Sequence, residues 1–130
     1  MKKFVCLFIA AFAIIASVSA QEKKSWKEMN DFHAVMSETF HPAEEGKLDP
    51  IKTRSQEMVD KAVTWKNSAA PEGYDKNAVK KPLQKLVKGS KELNKLVKGK
   101  ASDEELKKKL SALHDVFHEI TEKCEKEEHH

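Results

Sequence analysis

The sequence predicts an all-α protein, an antiparallel up-down-up-down four-helix bundle, on three observations. Apolar residues recur at steps of three and four in four separate stretches, and no stretch alternates apolar with polar residues as a half-buried strand would. The connections are short and rich in Pro, Gly and Asp, which suits helices that reverse direction. About 110 residues of such helix bury a modest core without a disulfide or a structural metal.

Residues 1–20 are read apart from the bundle. Met1, Lys2 and Lys3 precede the apolar FVCLFIAAFAIIA, and small residues at Ser17, Val18, Ser19 and Ala20 follow. That order predicts a secretory signal peptide cleaved after Ala20, and a periplasmic or secreted location. The apolar run is short of the roughly 20 residues a membrane span needs, so no span is expected in the mature chain. Cys6 leaves with the signal.

The first helix is expected over 25–40, with Trp26, Met29, His33, Met36 and Phe40 as its stripe, Ser25 and Glu28 as an S-x-x-E cap, and Pro42 and Gly46 ending it. The second, over 50–67, takes Asp49 as N-cap and Pro50 in its first turn, with Ile51, Ser55, Met58, Ala62 and Trp65 inward. SAAPEGYD is a loop. The third, over 78–98, carries Val79, Leu83, Leu86, Ser90, Leu93 and Val97 and is closed by Gly99. Pro82 marks either its true start or a kink, and Gly89 weakens its interior by roughly 1 kcal/mol relative to Ala. The fourth, over 102–126, opens on the Ser102–Glu105 capping box and runs through Leu106, Leu110, Leu113, Phe117, Ile120 and Cys124. The bundle thus spans 21–126, and 127–130 reads as a disordered acidic and His-bearing tail.

Charge excludes one class of partner. The full chain holds 24 Lys+Arg and 21 Asp+Glu; without Lys2 and Lys3 the count is 22 against 21, or +1 with His neutral. Acidic residues alternate with the lysines, which argues against nucleic acid as a ligand. The one cysteine left, Cys124, is a small apolar residue on the stripe, a thiolate ligand or redox thiol, or half of an intermolecular disulfide. No Gly-rich phosphate loop or Ser-His-Asp arrangement is legible, so no enzyme is expected.

The histidines carry the functional expectation. His114 and His118 stand one turn apart, a spacing that lets two imidazoles reach one ion. His33 occupies a stripe position of the first helix, where a polar group is costly without a partner. Antiparallel packing of the first and last helices pairs levels whose residue numbers sum to about 150, which brings His33 level with His114 to His118 and, through the second helix, with Met58. The expected metal set is His33, His114, His118 and Met58, with Met29 and Met36 a turn away. Imidazole with thioether suits copper, and imidazole alone suits zinc. Asp115 and Glu119 could orient the imidazoles. Against this, His33 could be a satisfied core histidine, His118 lies about 120° from its own stripe's centre, and His41 reads as a loop residue beside Pro42. His129 and His130 end the tail as a weak metal-binding alternative.

With a Met or His early in the first helix and a His late in the last, the chain resembles the periplasmic b-type four-helix cytochromes and the cytochrome c-prime bundles. The resemblance implies a haem b held without covalent links, with Met29 or His33 and His118 as axial ligands. The chain has no C-x-x-C-H, so covalent haem attachment is excluded. The segment TFHPAEEGKLDPIK is also similar to small secreted proteins of Bacteroidetes-like bacteria. Three functions are therefore carried forward: a transition-metal binder, a haem b binder, and a ligand-free structural or interaction protein.

Overall fold

The computed structural model describes residues 25–128, with side chains through Cys124, and folds them into four helices: α1 (Lys27–Glu44), α2 (Asp49–Asn67), α3 (Lys76–Lys98) and α4 (Asp103–Glu128). The segment expected to be a signal, with Cys6, and the histidines expected in the tail lie outside the described residues. α1 packs on α2, α2 on α3 and α3 on α4, and a looser α4–α1 contact closes the ring. This is the four-helix bundle expected.

Local chemistry sets most of the ends. Ser102 Oγ accepts from the Glu105 amide at 3.1 Å and Glu105 Oε1 from the Ser102 amide at 3.4 Å, the capping box that starts α4. Asp75 caps α3 by accepting from the Asn77 amide at 2.9 Å, so the helix begins well before Pro82 and carries that proline inside it.

Four boundaries depart from expectation. Asp49 does not cap α2; Leu48 holds that position without a side-chain bond, and Asp49 is the first helical residue. Ser25 does not cap α1; Trp26 holds that position, fixed instead by tertiary structure, its indole fully buried and its Nε1 donating to Ser68 Oγ at 2.9 Å. α1 does not stop before Pro42 but continues to Glu44. A proline in the last turn costs one backbone bond, and the end is secured by Gly46, at φ 90°, whose amide bonds the Ala43 carbonyl while that of Lys47 bonds the Pro42 carbonyl, a Schellman closure. α4 continues through Glu128, into the segment read as a disordered tail.

The core runs the length of the bundle. Trp26, Phe32, Met36, Ile51, Met58, Trp65, Leu86, Leu93, Leu110 and Ile120 are at most 1% exposed. One end is aromatic: Trp26 meets Trp65 edge to face at 6.0 Å, and Phe32 lies 5.7 Å from Trp65 and 5.9 Å from Phe117 between ring centres. Thr39, fully buried, returns its hydroxyl to the Val35 carbonyl at 2.8 Å. Cys124 is a buried thiol on the α4 stripe. Gly89 lets α3 and α4 approach closely, because a Cβ there would stand 2.6 Å from Leu113 Cδ2.

Candidate functional site

The α1–α4 seam gathers the histidines, in an arrangement only partly foreseen. α1 turns its Phe32, Val35, Met36, Thr39, Phe40 and Ala43 face inward, and His33 is exposed. The expectation that His33 occupies the buried stripe is therefore corrected. Phe32 and His33 are neighbours about 100° apart on the helix, and the larger apolar ring takes the core. His33 lies flat on Phe117 of α4 from outside, with ring centres 5.0 Å apart and planes 20° apart.

His114 of α4 does the converse. It stacks on Phe40 of α1 with ring centres 3.9 Å apart and planes 7° apart. Each helix thus lends one phenyl to the other's imidazole. The facing pairs 33 with 117 and 40 with 114 sum to 150 and 154, within a turn of the register expected from antiparallel packing.

His118 is exposed, and its Nε2 stands 3.2 Å from His114 Nε2. In the neutral pair, one nitrogen donates and the other accepts. Burial, more than any other cause, holds the His114 imidazole below its usual proton affinity; the nearby His118 acts in the same direction, and Asp115 and Glu44 oppose it. The His114 imidazole is accordingly held toward its neutral form. His41, expected in a loop, sits in the last turn of α1 because that helix runs past Pro42; its ring lies edge-on to Phe40 at 5.8 Å, and it too disfavours a charge on His114. His41 and Glu44 are the neighbours that sequence reasoning missed. The signal available was that Pro42 can ride in a final helical turn when Gly46 follows.

Other expected members stand apart. Met58 is fully buried on α2, diagonal to α4, and does not join the His114–His118 pair. Met36 is buried in the core, and Met29 is half-buried against it. Glu119 is held by Lys85 at 3.4 Å and Lys123 at 3.7 Å, not by an imidazole. For a haem on Met29 or His33 and His118, the seam would have to part Phe32, Trp65 and Phe117, which fill the interior at that level. A surface cavity of about 360 Å³ lies elsewhere, at the junction of α2 and α3, lined by Lys66, Lys76 and Lys80.

No family model, curated protein or solved structure matches the chain. Among the described residues no group of three His, Cys, Asp or Glu side chains converges as a metal site, and the imidazoles of His114 and His118 stand together as a pair.

Proposed function

We propose that the chain binds a transition metal, zinc before copper, through Nε2 of His114 and Nε2 of His118. The observation that carries the reading is their 3.2 Å separation. With metal–nitrogen bonds of about 2.0–2.1 Å, two imidazoles on a tetrahedral ion stand about 3.3 Å apart, and at a square-planar right angle about 2.9 Å. The separation lies within about 0.3 Å of both figures, so either geometry is within reach of the pair. Since Met58 and Met36 are enclosed in the core, no thioether adds a preference for Cu(I), and zinc leads.

The stack on Phe40 supports the same reading. It fixes the His114 ring plane, so one of the two ligands is set in orientation before any ion arrives. Joined to the signal-like first twenty residues, the role proposed is metal binding outside the cytoplasm, for buffering, storage or sensing.

Calorimetric titration of the metal-free protein with Zn(II), Cu(I) and Cu(II) tests this. A chain ending at Glu128 is the reference, so that His129 and His130 contribute nothing. Zinc binding is expected to be lost in His118→Ala and in His114→Ala, and retained in His33→Ala. Equal binding by the reference chain and the His114→Ala, His118→Ala double variant would overturn the proposal.

A further inference from the structure

We infer that the pair is half of a metal site completed by a second copy of this chain, with two His114–His118 pairs holding one tetrahedral ion on a two-fold axis. This deepens the zinc reading and rests on it. A tetrahedral zinc ion takes four ligands, and in sites built from protein alone all four are side chains. This chain brings two to one point, and no cluster of three ligating side chains is found among the described residues. The pair lies on the outer flank of α4, with His118 exposed, so the empty half of the tetrahedron faces away from the bundle.

The surroundings suit a like partner. At the level of the pair, the α1 side of the seam carries Ala34, which is exposed, and Ser37, and one turn before the pair on α4 stands Ser111. A two-fold contact is self-complementary, so the same patch meets itself and each copy supplies the two ligands the other lacks. The charges make the contact conditional. Asp115 and Glu44, whose fields reach His114, would face their counterparts across the axis. Like charges there repel, and a dication between them offsets the repulsion. A monomer without metal and a dimer with it is the consequence.

Sedimentation velocity on the chain ending at Glu128 tests the inference at 0, 0.5, 1 and 5 equivalents of Zn(II), with EDTA reversal and with His118→Ala as the exposed-site variant. The expected result is a doubling of mass that is maximal near 0.5 equivalents. It should decline at 5 equivalents as each pair takes its own ion, reverse with EDTA, and be absent in His118→Ala. Co(II) in place of zinc should show the strong visible bands of a tetrahedral centre at the same ratio. One zinc per chain on a monomer at every ratio would overturn the shared site and leave the zinc reading standing. No zinc binding at all would overturn both. A dimer that forms without metal, or that survives in His118→Ala, would also overturn it, by placing the contact elsewhere.

Discussion

Gly89→Ala should destabilise this protein, although alanine is the better helix former. In an exposed helix interior the exchange gains about 1 kcal/mol. Here the added Cβ would stand 2.6 Å from Leu113 Cδ2 and 3.5 Å from Leu113 Cγ, and Leu113 is only 2% exposed. Forcing a methyl into a packed seam costs about 1–3 kcal/mol, so the net expectation is a loss of about 1 kcal/mol. Leu113→Ala alone removes a buried side chain and should cost about 2–5 kcal/mol. In that background the obstacle is gone and the methyl added at position 89 enters the space left behind. The sign then reverses: Gly89→Ala gains its propensity of about 1 kcal/mol plus about 0.8 kcal/mol for the buried methyl. The coupling between the two sites is therefore about 2–3 kcal/mol, within the range seen for residues in contact. Urea denaturation of the wild type, both single variants and the double variant, followed by circular dichroism, measures it. If Gly89→Ala stabilises wild type as much as it stabilises Leu113→Ala, α3 and α4 yield freely and the close approach does not require glycine.

Lys100 turns the chain at φ 58° while Gly99 beside it keeps φ −85°, so the glycine lies one residue before the left-handed position. Lys100→Gly should relieve about 1–2 kcal/mol of strain and lose part of it to unfolded-state entropy, a net gain of about 0.5–1 kcal/mol readable as a raised urea midpoint. Ser68→Ala removes the acceptor for the fully buried Trp26 indole and should cost about 1–3 kcal/mol, with a change in tryptophan emission at the same end of the bundle. For the metal-free protein, His114 has its folded-state proton affinity lowered, chiefly by burial, so as pH falls below about 6.5 the unfolded chain binds its proton first. Stability should be level above that value, decline below it and flatten once folded His114 also titrates. His118, His41, Asp115 and Glu44 face the same ring, so the comparison is between wild type and His114→Gln, in which the slope near pH 6 should shrink. An unchanged slope would assign the decline to other groups.

What could be read from the chain divides along a physical line. Features fixed by a few consecutive residues were legible: the Ser102–Glu105 box, the His114–His118 spacing and the period of α4, whose six stripe residues are all buried. The antiparallel level of His33 and Phe117 was legible too, because helix rise and loop length set it. Rotation about a helix axis was not. Met29–His33 and Phe32–Val35–Met36 are both acceptable faces of α1, and the choice rests on partners in α2 and α4 together with the extension to Ala43, which a stop at Pro42 concealed. The stack of Phe40 on His114 needs two rotations at once, and no local pattern reports it.

The looseness of the α1–α4 closure bears on the order of assembly. Three of the four helix contacts join neighbours in sequence, whereas the fourth must bring the two ends of the described chain together, so it carries the largest loop-closure entropy and rewards the chain last. α1 is then the element expected to detach first in sub-global opening, with amide exchange in Lys27–Glu44 faster than in α3. Both imidazoles of the His114–His118 pair belong to α4, so they stay one turn apart whether or not α1 is docked. What docking adds is Phe40, the plate that holds one of them flat. An ion gripped by the pair would therefore register the closing of the bundle as a gain in its own residence time, and the last step of folding and the tightening of the ligand would be one event seen from two sides.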